Sequence, residues 1–232
     1  MPPFRSILSA TVFAVVSAAC AQAPAPAPSA AAPAPAAAPP PPMTFFVTST
    51  PLDGGNLGGL TGADRHCQQL AEAAGAKGKT WRAYLSTQGP GAVNARDRIG
   101  KGPWHNAKGR KIDSNLSELH GDTLEEARNG NLIGKMTALT ETGAEVNGVG
   151  DTPNLHDILT GTRLDGTAYP AGDDRTCNNW TSNSAGAAQV GHHDRNSSSS
   201  ISWNSAHPSR ACDMASLARS GGGGLYYCFA ID

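Results

Sequence analysis

This chain has few rings and little charge. Aromatic residues make up 6% and charged residues 16% of its 232 positions, and the formal net charge is −1. It contains no lysine- or arginine-rich run. Nucleic acid and anionic membrane surfaces need a basic stripe to meet, so neither is an expected partner. After the first 21 residues no apolar run is long enough to span a bilayer. The sequence also lacks GxSxG, a phosphate-binding loop, GxGxxG in a strand–helix context, HExxH and CxxC. Ser, His and Asp occur, but nothing in the sequence places them together. A binding role is therefore expected ahead of an enzymatic one.

Glycine (27) and proline (17) are abundant, and there are five cysteines. Residues 1–21 have the pattern of an export signal. Arg5 supplies the positive start, Ile7 to Val16 a short apolar stretch, and Ser17 to Ala21 small residues for cleavage. Two cleavages are open. Cutting after Ala19 leaves Cys20 first and ready for lipidation, although Ser17 stands where a lipoprotein signal usually has Leu. Cutting after Ala21 releases a free chain. Removing Cys20 to an anchor leaves an even four cysteines. Residues 22–42 are almost all Ala and Pro. They form a semi-rigid polyproline-type spacer of up to about 3.1 Å per residue, roughly 60 Å in all. The expected location is the periplasm, the outer membrane as a lipoprotein, the cell surface or the medium. A membrane is met only through a Cys20 anchor.

Residues 43–232 are long enough for one domain. Thr44–Ser49 is β-branched and aromatic, and predicts the first strand. Ala63, Cys67, Leu70, Ala71 and Ala74 recur at helical spacing, with Thr61 as cap, Asp64 three residues later and Gly75 as stop. Cys67 then faces the core. Thr80–Thr87 predicts a strand with Trp81, Ala83 and Leu85 on one face, and Val93–Ile99 a short helix. Between Gly100 and Asp174 strand signals are weak. Thr137–Thr140 and Ile158–Thr160 are at most short ladders there. Cys228 lies in the last apolar strand. Cys177 and Cys212 each lie near a polar, tryptophan-bearing loop.

Gly59-Leu60-Thr61-Gly62-Ala63-Asp64-Arg65-His66-Cys67, followed by Trp81-Arg82-Ala83-Tyr84-Leu85-Ser86-Thr87, resembles the opening of the endostatin (collagen C-terminal) domain. That domain belongs to the C-type-lectin-like superfamily. Cys177 with Asn179-Trp180, then Cys212, then Leu225-Tyr226-Tyr227-Cys228, matches the order of the remaining elements. The chain also resembles exported bacterial proteins labelled "lectin". The resemblance implies an α+β fold: a twisted, mostly antiparallel sheet, one main N-terminal helix, long loops and two nested disulfides. It implies the bridges Cys67–Cys228 and Cys177–Cys212, with ligands meeting the loop region between the inner cysteines. The sequence departs from the calcium-dependent sugar binders of that superfamily. Trp203-Asn204-Ser205 has Ser where they have Asp, and no Glu-Pro-Asn or Gln-Pro-Asp occurs. Residues 43–52 also lack the histidines of endostatin's zinc site.

Candidate chemistry falls in three places. Asn178, Asn179 and Trp180, with Trp203 and Asn204, interleave rings and amides, as a carbohydrate pocket requires. His192, His193 and Asp194, with His207, form a dense ionisable cluster with donors for zinc. Asp151, Asn154 and Asp157 offer oxygens to calcium, although Asx residues beside Gly150 and Pro153 also make turns. The ligand face expected from sequence is Asn178, Asn179, Trp180, His192, His193, Asp194, Trp203, Asn204 and His207, recognising a glycan or another surface macromolecule. The weak metal candidates are Asp151, Asn154, Asp157, His192, His193 and Asp194, for calcium or zinc. The alternatives are a metal-dependent hydrolase on His192, His193 and Asp194, or a structural envelope domain.

Overall fold

A computed structural model describes residues 39–121, 130–198 and 200–232. The export signal, Cys20 and the spacer up to residue 38 lie outside the described residues. In chain order the elements are β1 (Phe45–Val47), α1 (Gly59–Ala73), β2 (Trp81–Ala83), β3 (Trp104–His105), β4 (Lys111–Asp113), α2 (Leu116–His120), β5 (Asp157–Leu159), β6 (Gln189–His192), β7 (His207–Pro208), α3 (Met214–Ser220) and β8 (Gly222–Ala230). A 3-10 turn covers Ala95–Arg98. The fold is α+β. Among the described residues no helix is long and apolar enough to cross a membrane.

The two most apolar runs of the domain pair with each other. β1 lies antiparallel to β8, with Phe46 opposite Cys228. β2 also pairs antiparallel with β8, placing Ala83 opposite Cys228. β5 runs parallel to the first half of β8, and β6 and β7 extend the sheet outward as antiparallel neighbours. All nine residues of β8 are buried. Alternation along the strand sends Tyr226, Cys228 and Ala230 to one side and Leu225, Tyr227 and Phe229 to the other. The first side packs on α1 through Ala63, Cys67 and Ala71, with Trp81 and Trp180. The second packs on Tyr84, Trp104, Ile112, Leu119 and Trp203.

The two disulfides are Cys67–Cys228 and Cys177–Cys212, each with Cα atoms 5.7 Å apart. They close separations of 161 and 35 residues. The loop-entropy model gives about 5 and about 4 kcal/mol for such closures. That is comparable with the whole net stability of a domain. Persistent disulfides suit an oxidising, extracellular or periplasmic setting.

Several local expectations shift. α1 begins at Gly59, ahead of Thr61, and its N-cap Gly58 makes no side-chain cap bond. Backbone closeness explains the glycines: a Cβ on Gly62 would lie 2.0 Å from the Leu57 carbonyl oxygen. Asp64 does not close a capping box. Its carboxylate pairs with buried Arg98 at 2.7 Å and accepts from the Ala83 N–H at 2.9 Å, locking α1 to β2. Val93–Ile99 gives the 3-10 turn rather than an α-helix. Helix α3 was not read from sequence although its caps are legible there. Asp213 accepts from the Ser216 N–H at 2.8 Å, and Gly221 closes the end at φ 101°.

A polar chain crosses the second core. Asn204 Nδ2 donates to Tyr84 Oη at 3.0 Å, and His120 Nε2 lies 2.7 Å from the same oxygen. His120 Nδ1 lies 2.9 Å from the Leu116 carbonyl, which can only accept. The ring is thus neutral, with its proton on Nδ1 and its Nε2 accepting from Tyr84. Burial lowers the His120 pKa to about 4. The unfolded-state value is about 6.5, so the unfolded chain takes up the proton first as pH falls. The contribution is complete above pH 6.5 and is lost between about 6.5 and 4, on the order of 3 kcal/mol. The thermal midpoint should fall over that window. His120→Gln should lower stability at neutral pH and flatten the decline. Equal slopes in the two proteins would refute this assignment.

Candidate functional site

Sheet register gathers the ionisable groups. Asp157 on β5 sits directly opposite His192 on β6, and Val190 on β6 sits opposite His207 on β7. Residues two apart on a strand share a face, so Asp157, His192 and His207 point the same way. This face continues the one that buries Leu159 and Val190. His156 precedes β5 and turns in beside them. Gly221 leaves room for it: a Cβ there would lie 2.8 Å from the His156 ring. The His156 and His192 rings stack, with centroids 4.2 Å apart and planes 18° from parallel. His207 meets His192 edge-on at 5.0 Å.

Three ring nitrogens close on one oxygen. Asp157 Oδ1 lies 3.2 Å from His156 Nε2, 3.2 Å from His192 Nε2 and 3.4 Å from His207 Nε2. Asp157 and His192 are each 1% exposed, His156 9% and His207 34%. The distances are those of ion pairs, yet they lack hydrogen-bond direction. Both carboxylate oxygens of Asp157 and the His192 Nε2 are buried without a hydrogen-bond partner. Burial pushes the Asp157 carboxyl upward, but the His192 and His207 rings outweigh it and hold the pKa down at about 2. The Asp157 carboxylate beside it raises His207. Burial opposes charge on His156, and Asp194 and Asp157 overcome it and raise its pKa.

The outer nitrogens are also placed. His192 Nδ1 lies 2.8 Å from the Ser200 carbonyl, and His207 Nδ1 3.0 Å from the Pro208 carbonyl. His156 Nδ1 lies 3.5 Å from Asp194 Oδ1. Asp194 is itself fixed, accepting from Val149 N–H at 2.8 Å and Asn196 N–H at 3.1 Å. Burial raises its carboxyl, but His156 and these two amides outweigh that and hold it well below the usual range. A buried carboxylate ringed by three oriented imidazoles can hold a cation or share protons.

The residues expected from sequence divide. His192, His207 and Asp157 come together, and Asp194 stands behind His156. His193 does not join: its Nε2 lies 3.0 Å from the Asn147 carbonyl and the ring is buried elsewhere. The His192/His193/Asp194 metal set is therefore corrected, because neighbouring residues at a strand end point apart. The calcium trio is also corrected. Asp151 pairs with Lys135 and accepts from Gly148 N–H at 2.8 Å, and Asn154 accepts from His156 N–H at 3.2 Å. Both make turns, and Asp157 alone enters the cluster. His156 was missed, although it adjoins Asp157 at the head of an apolar pair.

The carbohydrate face is corrected at its rings. Trp180 and Trp203 are both 0% exposed. Trp180 donates to the Ser86 carbonyl at 2.7 Å, and Trp203 packs on Tyr84 at 4.8 Å. Asn179 is exposed, but its amide accepts from Gln88 N–H at 2.7 Å and donates to Gln88 carbonyl at 3.1 Å. Asn178 remains on the surface. Asn204 is 0% exposed. Its amide holds Tyr84 Oη at 3.0 Å, the Leu164 carbonyl at 3.0 Å and the Ser202 hydroxyl at 3.0 Å. Asn204→Ala should therefore destabilise the domain by about 1–3 kcal/mol in urea unfolding. An unchanged midpoint would show that the amide is not structural.

Compared with models of known protein families and with curated proteins, the chain matches none.

Proposed function

We propose that this chain is an exported binding module of C-type-lectin-like, endostatin-like fold. Its ligand is a glycan or another surface macromolecule, met on the loop region stapled by Cys177–Cys212. The bridge from first helix to last strand, with a second bridge nested inside it, supports the fold reading. Export rests on the leader pattern and on the two disulfides, and residence at the envelope on the Ala/Pro spacer.

The observation that carries the binding reading is a strained, polar turn. Cys177, Asn178, Asn179 and Trp180 have φ of 47°, 52°, 54° and 67°. Each left-handed non-glycine residue costs about 1–2 kcal/mol. The turn is held by its two buried ends, Cys177 in the inner disulfide and Trp180 in the core. Its crest borders a cleft of about 300 Å³ lined by Gln88, Gly89, Ala171, Gly172, Asp174, Thr176, Asn178 and Asn179. Strain maintained by surrounding structure is a feature of functional sites. The amides and hydroxyls around the cleft suit the hydroxyls of a sugar.

A glycan array on the full chain should give discrete hits. Asn178→Gly keeps the left-handed backbone, which glycine adopts freely, and removes the amide. It should weaken binding to those hits about ten- to a hundred-fold while leaving the melting temperature nearly unchanged. An array without hits, or equal affinity of the variant, would refute this reading.

A further inference from the structure

We infer that His156, Asp157 and His192 form a binding site for one divalent first-row transition-metal ion, with the partly exposed His207 swinging in as the fourth ligand and Asp194 as a positioning residue. The inference stands apart from the recognition reading, because no atom of the glycan cleft takes part. It rests on distance, direction and burial.

The separations come first. Bonds of about 2.0–2.1 Å to imidazole and carboxylate place tetrahedral donors about 3.3 Å apart. The three separations from Asp157 Oδ1 are 3.2, 3.2 and 3.4 Å. The donor atoms of His156, Asp157 and His192 all lie within 4.8 Å of one another, and His207 stands outside that set, held to it through Asp157 Oδ1 alone.

Direction is the second observation. Each ring has its Nδ1 facing an outward oxygen: Ser200 carbonyl for His192, Pro208 carbonyl for His207 and the Asp194 carboxylate for His156. A carbonyl can only accept, so Nδ1 carries a proton in His192 and His207, and Nε2 is the nitrogen left to bind an ion. Asp194 Oδ1 lies 3.5 Å from His156 Nδ1, an ion-pair distance without a hydrogen bond. Metal-binding histidines are oriented in this way, through an outer acceptor on the second nitrogen. Both Asp157 carboxylate oxygens and His192 Nε2 are buried at this point without a hydrogen-bond partner, as ligand atoms awaiting a cation are.

The donor set selects the metal. Two imidazoles and one carboxylate, with His207 as a third imidazole at the open side, suit zinc and its first-row neighbours. Calcium and magnesium prefer all-oxygen shells of six or more donors. His207 is the ligand that solvent reaches, so the ion enters from the β7 edge.

Untagged full chain, stripped with chelator, should bind one Zn²⁺ per molecule in equilibrium dialysis with metal analysis, and should take up no Ca²⁺ in a parallel arm. Co²⁺ should give the intense visible bands of a tetrahedral site, a readout that needs no variant. Asp157→Asn and His207→Gln should each weaken Zn²⁺ binding beyond the roughly 100-fold ceiling of a positioning residue, and Asp194→Asn by about 10–100-fold. His66→Gln on α1 should bind like the parent. His207 is partly exposed, so its variant should keep the near-UV spectrum of the parent. Absence of Zn²⁺ uptake, preference for Ca²⁺, an octahedral Co²⁺ spectrum, or Zn²⁺ binding unaffected by His207→Gln would each overturn the assignment.

Discussion

Strand β8 has to be buried on both faces and along both edges, and the rest of the domain is arranged to satisfy that need. A nine-residue strand with alternating large side chains needs a core on each side. One core is supplied by α1, tied to it covalently through Cys67–Cys228. The other is supplied by loops and short elements around Tyr84, Trp104 and Trp203. Its backbone is satisfied by β1 on one edge and by β2 and β5 on the other. The geometry of the His–Asp cluster inherits this arrangement. β5 lies parallel to the start of β8 with Asp157 beside Gly222, where a Cβ would lie 3.0 Å from the Asp157 Cβ. The carboxylate therefore sits where the glycine-rich head of β8 permits it.

The domain has short strands and long loops, so side chains supplement the backbone–backbone bonds in satisfying its loop backbone. That explains why polar residues read as ligand contacts turn out to be structural. Asn179, Asn204 and Trp180 all bond to backbone atoms or buried side chains. Arg195 shows the same economy at φ 52°, where its guanidinium bonds the Ile133 carbonyl and the Asn131 amide. In a loop-rich fold an amide–aromatic motif serves packing first. Among the polar groups of the His–Asp cluster, both Asp157 oxygens and His192 Nε2 escape this use, whereas the exposed Asn178 amide at the crest of the left-handed turn donates only to the Thr181 hydroxyl.

The two sites divide the loop region between them. The left-handed turn is anchored by a disulfide and a buried indole, so its exposed crest is rigid. The His–Asp cluster draws on three neighbouring strands, so a bound ion would join β5, β6 and β7 at the outer edge of the sheet. Rigidity comes from covalent closure in one case and from ligand geometry in the other.

The sequence by itself determined the local elements and the covalent frame. Helical spacing around Cys67, the aromatic runs at β1 and β8, and the resemblance in cysteine order anticipated the helix, the outer strands and both bridges. The helix and strands are local or depend on apolar pattern and so survive reading in one dimension, whereas the bridges, 161 and 35 residues apart, followed from the resemblance alone. Tertiary structure alone decided the site. Asp157, His192 and His207 are distant in the chain and meet because antiparallel register puts them on one face. His193 is adjacent to His192 and falls outside because neighbouring residues point apart. Sequence proximity paired His192 with His193, and strand pairing, which no local pattern encodes, brings His192 to Asp157 and His207 instead.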